Sequence, residues 1–148
     1  MAFLQDKKIL ITGLLSNRSI AYGIAKAASR EGAQLAFTYQ GEDIRERVQK
    51  LAADFGSAPV LPCDVTQDEQ IDALFTSLKS EWGHLDGVVH SIAFAPREAL
   101  KGEFLDGLTR DAFKMAHDIS SYSFAALAKA ALPMMEGRKA ALLTLSYL

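Results

Sequence analysis

The sequence predicts an α/β domain built on a doubly wound parallel sheet with the strand order 3-2-1-4-5. Short apolar runs typical of buried strands alternate four times with segments of helical periodicity. Such alternation gives a parallel sheet with helices on both faces, and right-handed crossovers favour this order. The 148 residues, 49% hydrophobic and 23% charged, suffice for one packed core and argue against disorder. Because no repeat or linker-like tract divides the chain, we predict one domain over residues 1–148.

The first half of the chain contains two strand–helix pairs. Ile9–Thr12 is short, apolar and rich in β-branched residues, which predicts a buried strand. Small and apolar residues at helical spacing predict a helix over Ile20–Glu31. Gln34–Tyr39 is predicted as the second strand. Glu42–Asp54 carries its apolar residues on one face and its charges elsewhere, which predicts an amphipathic helix.

The second half continues the alternation. Ala58–Cys63 is predicted as the third strand, and its two prolines favour the edge of the sheet. Apolar residues at helical spacing predict a helix over Asp68–Trp82, and Leu85–Ser91 reads as the fourth strand. Thr109–Met135 is predicted as one long helical region that bends or ends near its single proline. Ala140–Ser146 completes the sheet as the fifth strand.

Charge and cysteine content exclude several classes of protein. The formal net charge of −2 gives no electrostatic case for binding nucleic acid or a membrane surface. No apolar stretch approaches the roughly 20 residues that span a bilayer, and the run after Lys8 is too short for a secretory signal. A single cysteine, Cys63, excludes an internal disulfide, and no Cys/His cluster has zinc-ligand spacing. We therefore expect a cytoplasmic protein without a metal site.

Ligands of such folds bind at the carboxyl ends of the strands, where the strand order switches between strands 1 and 4. After strand 1, Gly13 permits a tight turn, and the next helix offers free N–H groups to a pyrophosphate. Ser19 occupies the N-cap position, and Gly23 is expected to let this helix approach the sheet closely. The spacing is not G-x-G-x-x-G, so a capped strand–turn–helix that binds nothing explains this segment equally well.

Polar residues also follow strands 2 and 3. Gln40 can hydrogen-bond a ribose, or it is simply a polar surface residue in a turn. Asp64 can accept a hydrogen bond from an adenine amino group, and the N–H of Val65 can donate to a ring nitrogen. Alternatively, Asp64 or Thr66 caps the next helix, and the two roles can coexist. Cys63 is predicted to be a small buried hydrophobic residue.

Strands 4 and 5 are followed by residues suited to a substrate. Small residues within Ser91–Pro96 allow a cofactor ring to lie against the backbone. His90 is predicted to be a hydrogen-bonded core residue, whereas Phe94 and Leu100 either wall a substrate cavity or pack. Tyr147 follows strand 5, where a tyrosine can donate a proton or a hydrogen bond to a substrate carbonyl. A packing role for this tyrosine is the alternative.

Together these segments resemble the bacterial NADH-dependent enoyl-acyl-carrier-protein reductases of the FabI type, a divergent branch of the short-chain dehydrogenases. The resemblance is strongest in the Ser-Ile-Ala-Phe-Ala-Pro run at 91–96 and in the Leu-Thr-Leu-Ser-Tyr-Leu ending. Asn17 and Ser19 stand where the wider dehydrogenase family has glycines, which supports this branch. The matching segments are Ile11–Gly13, Ser19–Ala25, Ala36–Gln40, Cys63–Val65, His90–Pro96, His117–Phe124 and Leu142–Leu148.

The resemblance implies a Rossmann-type domain that binds NADH. The cofactor contacts that it implies are Gly13, Ser19, Ile20, Gln40, Asp64, Val65, Ser91, Ile92 and Ala93. It also implies that Ala95, with Phe94 and Leu100 nearby, contacts the substrate and that Tyr147 is catalytic. The implied reaction is hydride transfer from NADH to the β-carbon of a trans-2-enoyl thioester on acyl carrier protein. The implied assembly is a homotetramer.

The resemblance also implies catalytic residues beyond residues 1–148. The family's second tyrosine and its lysine, spaced Tyr-x6-Lys, follow strand 5, so residues 1–148 alone are expected not to catalyse the reduction.

Two functions other than enoyl reduction remain open from the sequence. The alternatives are a keto-reductase of the wider family and a non-redox nucleotide-binding module such as a methyltransferase. Both favour a glycine-rich turn where this chain has the single Gly13, and the module usually has an acid where Gln40 stands.

Overall fold

The structure is a computed structural model that describes residues 2–147. Its strands and main helices are β1 Lys8–Ile11, α1 Ile20–Arg30, β2 Gln34–Tyr39, α2 Glu42–Ala52, β3 Val60–Pro62, α3 Asp68–Trp82, β4 Gly87–His90, α4 Arg110–His117, α5 Ser123–Met135 and β5 Ala141–Thr144. The strands pair in parallel in the order β3-β2-β1-β4-β5, which confirms the predicted doubly wound sheet. Among the described strands β3 pairs only with β2, so the predicted edge position of this proline-bearing strand is confirmed.

The predicted and observed elements differ mainly at their ends. The second strand and the third helix have the predicted bounds. The third, fourth and fifth strands are shorter than predicted, because pairing stops where the chain leaves the sheet; β4 ends at His90 and β5 at Thr144. The second helix also ends early, at Ala52, and a 3₁₀ turn over Ala53–Phe55 follows it.

Helices pack on both faces of the sheet, and alternate strand residues supply the two cores. In β1, Leu10 belongs to the core beneath α3 and α5, whereas Ile11 belongs to the core beneath α1 and α2. Val88 joins the first core and Phe37 the second. Because each such side chain contributes about 1.5–3 kcal/mol on burial, this alternation fixes the strand register. A Cβ at Gly23 would have no neighbour within 4 Å, so the predicted close approach of α1 at this glycine is wrong.

The fourth helical region differs from the prediction in where it bends. Two helices, α4 and α5, replace the single predicted helix, and a wide turn over Asp118–Tyr122 separates them. In this turn the N–H of Ser123 donates to the carbonyl of Asp118, one residue farther back than in an α-helix. The last helix continues past Pro133 to Met135. The π-type turn, and not the proline, therefore interrupts the helix.

A buried carboxylate fastens the amino ends of the central strands to the chain that follows α5. Asp86, whose side chain is 2% exposed, accepts from the N–H of Lys8 at 3.0 Å and from Nε of Arg138 at 2.8 Å. The Lys7 ammonium lies 3.9 Å from it. Burial by itself would raise the pKa of Asp86, but the hydrogen bonds from Arg138 and Lys8 and the nearby positive charges hold it below its ordinary value. This carboxylate is therefore ionised in the folded protein at neutral pH.

Candidate functional site

A cleft of about 380 Å³ opens at the carboxyl ends of the strands, where β1 and β4 are neighbours. This is the switch point at which the sequence predicts a ligand. Two larger hollows occur elsewhere on the surface. One of about 510 Å³ lies between α3 and α5, and one of about 920 Å³ lies along α4 and adjoins the cleft, since Thr66, Met115 and Ile119 line both. Many of the predicted cofactor and substrate residues line the cleft: Gly13, Gln40, Asp64, Val65, Ser91, Ile92, Ala93 and Phe94.

The turn after β1 requires glycine. Gly13 has a φ of +81°, a backbone conformation that residues with a side chain rarely adopt. A Cβ at this position would overlap the carbonyl oxygen of Ser91 and lie 2.7 Å from its carbonyl carbon. The ends of β1 and β4 therefore meet backbone to backbone, with no room for a side chain between them. Gly13 and Ser91 both line the cleft, and we call the part of its wall that they form the cradle.

The loop after Gly13 leads to α1, whose first turn is capped as predicted. The hydroxyl of Ser19 accepts from the N–H of Tyr22 at 3.3 Å and donates to the carbonyl of Ser16 at 2.7 Å. No acidic residue lies in the first turn of α1, in contrast to the first turns of α2 and α3. The positive end of the α1 dipole therefore faces no competing side-chain anion from its own first turn.

Asp64 holds the loop after β3 and contributes to the cleft wall. Its Oδ1 accepts from the N–H of Thr66 at 2.9 Å and from the Thr66 hydroxyl at 2.7 Å. The N-cap residue of α3 is Gln67, and no side chain caps the helix there. The prediction that Asp64 or Thr66 caps this helix is therefore wrong. Instead the two residues close a local turn that fixes the carboxylate at the cleft.

The rim at the end of β2 is neutral to acidic. Gln40 is exposed and lines the cleft. The buried Tyr39 beside it donates its hydroxyl to Glu42 at 3.0 Å; burial raises the pKa of Tyr39, and this hydrogen bond raises it further. Glu42 and Asp43 begin α2, and no lysine or arginine occurs over residues 32–44. The guanidinium of Arg45 lies 5.9 Å from the Tyr39 ring and is paired with Glu42 at 3.3 Å, so this cation beside the rim already has a carboxylate partner.

The segment over residues 91–94 borders the cleft and is held at both ends. The hydroxyl of Thr12 accepts from the N–H of Ser91 at 3.2 Å and donates to a β4 carbonyl at 3.0 Å. The hydroxyl of Ser120 accepts from the N–H of Phe94 at 2.9 Å and donates to the Phe94 carbonyl at 3.1 Å. The segment is thus tied to β1 at one end and to the π-type turn at the other.

His90 is a hydrogen-bonded core residue, as predicted. Its Nε2 lies 2.7 Å from the hydroxyl of Ser123, and its Nδ1 lies 2.8 Å from the hydroxyl of Thr144. The Ser123 hydroxyl donates to the carbonyl of Ile119 at 2.6 Å, so it accepts from a protonated Nε2, and Nδ1 accepts from Thr144. Burial lowers the pKa of His90 below its ordinary value of 6.5. The neutral imidazole therefore joins β4, α5 and β5.

The burial of His90 predicts a loss of stability at mildly acid pH. Below about pH 6.5 the unfolded chain binds a proton on this imidazole that the folded chain does not bind, so the free energy of unfolding falls as the pH falls. The free energy of unfolding is measured with urea between about pH 7.5 and 5.5, a range that brackets the ordinary pKa of 6.5. Its slope against pH is expected to be smaller for His90→Asn than for the unchanged chain. His84→Asn is the control, because this more exposed ring is expected to contribute less. Equal slopes for the unchanged chain and His90→Asn would contradict the assignment.

Cys63 lies among the residues that line the cleft, but its thiol is unsuited to nucleophilic chemistry. It is 5% exposed, and burial, assisted by the charge of Asp64, raises its pKa to about 12. Its predicted role as a small buried residue is confirmed.

Within residues 2–147, no group of three or more His, Cys, Asp or Glu side chains is placed to hold a metal ion. None of the helices in the same part of the chain is both long and apolar enough to cross a bilayer.

Several predicted site residues lie outside the cleft lining: Ser19, Ile20, Ala95, Leu100 and Tyr147. Their roles, like the roles of the residues that line the cleft, stay predictions. Of the residues outside the lining, the first two begin α1, and the next two follow the 91–94 segment. Tyr147 lies beyond the end of β5 and is fully exposed. Leu148, the last residue of the resembling ending, lies outside the described residues.

Other residues of the cleft are not predicted from the sequence. Met115 of α4 and Ile119 of the π-type turn line it, together with Leu15 and Ile44. Their apolar side chains fit the periodicity of a helix that packs on a core, so nothing in the sequence separates them from packing residues. Ser120 lies in the resembling segment His117–Phe124, but nothing in the periodicity of that segment marks it out, since its contact depends on a turn that periodicity does not reveal.

Comparison with known proteins gives consistent matches over most or all of the chain. A sequence model of the family described as Enoyl-(Acyl carrier protein) reductase matches residues 13–148. The enoyl-[acyl-carrier-protein] reductase [NADH] FabI of Neisseria meningitidis is 59% identical over all 148 residues. A crystal structure of the enoyl-[acyl-carrier-protein] reductase (NADH) from Aquifex aeolicus superposes with a TM-score of 0.94 and 53% identity over 97% of the chain. A reductase structure from Anaplasma phagocytophilum, in complex with NAD, gives a TM-score of 0.92 and 41% identity over 97% of the chain.

These matches differ from the chain in length. The chain spans 57% of the Neisseria meningitidis relative and 56% and 54% of the two crystallised chains. It therefore corresponds to about half of each, and the structural agreement concerns that half. Since the family model matches nearly the whole chain, the chain belongs to the enoyl-(acyl carrier protein) reductase family.

Proposed function

We propose that the chain forms the NADH-binding part of an enoyl-acyl-carrier-protein reductase that reduces the carbon–carbon double bond of a trans-2-enoyl thioester. The observation that carries the proposal is the cradle at the switch between β1 and β4, where Gly13 lies directly against Ser91. Family membership supports the reaction, and the relative crystallised with NAD supports the cofactor.

The residues around this cradle fit the adenosine and pyrophosphate parts of a dinucleotide. The start of α1, free of acidic residues in its first turn, suits the pyrophosphate anion. Asp64 provides a fixed carboxylate as acceptor for the adenine amino group, and the Val65 N–H is assigned as donor to a ring nitrogen. The exposed amide of Gln40 suits the ribose hydroxyls. Each part of the ligand thus meets a group of matching chemistry.

The 91–94 segment is assigned to the nicotinamide end. Its inner residues, Ile92 and Ala93, line the cleft, and the small side chain of Ala93 leaves room for a ring against the backbone. When bound there, NADH supplies a hydride for the reduction. We assign Ala95, the exposed Phe94 and the exposed Leu100 to contact with the acyl substrate.

Tyr147 is the proposed catalytic residue of this chain. Reduction of an enoyl thioester adds a hydride at the β-carbon and a proton at the α-carbon, and negative charge develops on the thioester oxygen meanwhile. A phenol placed against that oxygen stabilises the charge by donating a hydrogen bond. The position of Tyr147 after β5, at the carboxyl side of the sheet, supports this role.

The proposed partners follow from the same assignment. The substrate is carried by acyl carrier protein, and the enzyme is proposed to work as a homotetramer in the cytoplasm. Exposed apolar side chains on the helices that flank the π-type turn support self-association, since Phe113 of α4 is 50% exposed and Leu132 of α5 is 66% exposed.

The activity is tested with a chimera that joins residues 1–148 to the part of the Neisseria meningitidis relative beyond its matching segment. Addition of a trans-2-enoyl thioester to this chimera and NADH is expected to lower the NADH absorbance and to yield the saturated thioester. A saturated thioester is the control substrate and should leave NADH unchanged. A folded chimera that binds NADH but does not reduce the enoyl thioester would contradict the proposed reaction.

Asp64→Ala is expected to weaken NADH binding by about 10- to 100-fold, because a charge-assisted hydrogen bond to adenine contributes about 1.5–3 kcal/mol. Thr66→Val is the matched control: it removes the hydroxyl bonded to Asp64 but keeps the carboxylate. Calorimetric titration with NADH and thermal unfolding are measured for both variants. If Asp64→Ala lowers only the melting temperature and leaves NADH affinity unchanged, the carboxylate serves the loop alone.

A further inference from the structure

We propose that Ser120 is a positioning residue for the nicotinamide end of the cleft. Its hydroxyl fixes the far end of the 91–94 segment without itself lining the cleft. The inference rests on the proposed function, since that function assigns this segment to nicotinamide. It goes further because Ser120, a residue of the π-type turn, is not among the residues assigned to contact the cofactor or the substrate, yet it positions the segment.

The contacts of Ser120 satisfy both polar groups of one residue. Its Oγ accepts from the N–H of Phe94 at 2.9 Å and donates to the carbonyl of the same residue at 3.1 Å. One hydroxyl can make both bonds at once, because its proton is used in one and a lone pair in the other. Phe94 lies outside the strands and helices, where the sheet ladder does not serve its backbone. The Ser120 hydroxyl therefore supplies the hydrogen-bond acceptor and donor that the backbone of a neighbouring strand would otherwise supply to Phe94.

The π-type turn explains why a serine reaches this backbone. Over Asp118–Tyr122 the helix widens, and the Ser123 N–H bonds to Asp118. The same turn places Ile119 in the cleft wall, directly before Ser120. The turn is itself anchored, because the Ser123 hydroxyl donates to the Ile119 carbonyl and accepts from buried His90. Ser120 thus projects from a turn that is hydrogen-bonded to the core through Ser123 and His90.

The opposite end of the segment shows the same kind of contact. The Thr12 hydroxyl accepts from the Ser91 N–H at 3.2 Å and donates to a β4 carbonyl. Two hydroxyl groups, one from β1 and one from the turn, therefore hold the backbone of residues 91–94 at its ends. Between them, Ile92 and Ala93 face the cleft. Loss of the Ser120 hydroxyl would release one end and leave the other in place.

A positioning role predicts an effect confined to one half of the ligand. Asp64 and Gln40, assigned to adenosine, make none of the contacts described for Ser120. A ligand that lacks nicotinamide should therefore bind equally well with and without the Ser120 hydroxyl. NADH should bind less tightly without it, since a loosened segment must be ordered when the ring binds. ADP-ribose, which lacks only the nicotinamide, separates these two cases.

The test compares NADH and ADP-ribose binding by calorimetry for the unchanged chain, Ser120→Ala, Ser120→Thr and Ser121→Ala. Ser120→Ala is expected to weaken NADH about tenfold and to leave ADP-ribose within about twofold. Ser120→Thr keeps the hydroxyl and is expected to restore NADH binding. Ser121→Ala, an exposed serine of the same turn, is expected to bind both ligands normally. Equal changes for NADH and ADP-ribose in Ser120→Ala, or no change for either, would overturn the proposal.

Amide exchange of the unliganded chain gives a readout that does not depend on the cofactor. The Phe94 N–H, protected by its bond to Ser120, is expected to exchange about tenfold faster in Ser120→Ala, whereas the Ser91 N–H at the Thr12 end should be unchanged. Unchanged exchange at Phe94 would overturn the proposal whatever the binding results. If the unchanged chain binds neither ligand, the proposed function fails and the nicotinamide assignment with it, while the exchange of Phe94 still decides whether Ser120 holds the segment.

Discussion

Replacing Gly13 by alanine is expected to abolish measurable NADH binding and to lower the free energy of unfolding by about 2–5 kcal/mol. Two effects add. The φ of +81° costs an L-residue about 1–2 kcal/mol, and the new Cβ overlaps the carbonyl oxygen of Ser91. Backbone cannot rotate away as a side chain can, so β1 and β4 must separate where the cofactor is proposed to bind. NADH titration and urea unfolding measure the two effects.

Gly23→Ala is the matched control for this substitution. The same methyl group is added within α1, where no atom lies within 4 Å. Because glycine inside a helix is less favourable than alanine by roughly 0.5–1 kcal/mol, this variant is expected to be slightly more stable and to bind NADH normally. If Gly13→Ala behaves like Gly23→Ala, the cradle between the strand ends does not have the geometry described.

Asp86→Ala is expected to destabilise the fold by about 3 kcal/mol, although it lies at the end of the sheet opposite the cleft. The substitution leaves the N–H of Lys8 without its acceptor and the Arg138 guanidinium without its charge partner. Chemical unfolding at pH 7 measures the loss. Glu46→Ala is the control, because the Glu46–Lys50 pair is 81% and 74% exposed and is expected to contribute no more than about 0.5 kcal/mol.

The contribution of Asp86 is also expected to depend on pH. Its pKa in the folded protein lies below the ordinary value, so its stabilisation is complete above the ordinary pKa of about 4 and is lost as the pH falls through the folded-state pKa. The difference in unfolding free energy between the unchanged chain and Asp86→Ala should therefore shrink in acid. A difference that stays constant down to pH values near 2, well below the ordinary aspartate pKa, would show that packing rather than charge makes Asp86 stabilising.

The sheet topology could be predicted from the sequence because its causes are local and repeated. Each strand is a short apolar run, and the right-handedness of crossover connections then leaves few ways to connect parallel strands. The bounds of Gln34–Tyr39 and Asp68–Trp82 were predictable, since β2 is bordered by turn residues and α3 has an uninterrupted apolar face. The ends of other strands were less predictable, because pairing depends on where the neighbouring strand stops.

The features that sequence reasoning missed arise from contacts between distant segments. The helical region ends at Met135, close to Pro133 as predicted, but nothing in its periodicity indicates the π-type turn over Asp118–Tyr122. Ser120 meets Phe94 across a separation of 26 residues, which no local motif encodes. The positions of Gly13 and Asp64 in the cleft lining were predictable, because each directly follows the end of a predicted strand and is a glycine or a polar residue. The apolar residues of the same cleft, such as Ile119, were not.

Titration of the 148-residue chain with NADH and with NADPH tests the central claim, that the cleft at the strand ends binds NADH. We predict saturable binding of one NADH per chain. NADPH is expected to bind more weakly, because Arg45 beside the rim is paired with Glu42 and not free for a 2′-phosphate, and the acid Asp43 adds negative charge at the start of α2. Gly13→Ala in the same titration should bind neither. Absence of NADH binding by the folded chain, or tighter binding of NADPH than of NADH, would contradict the account.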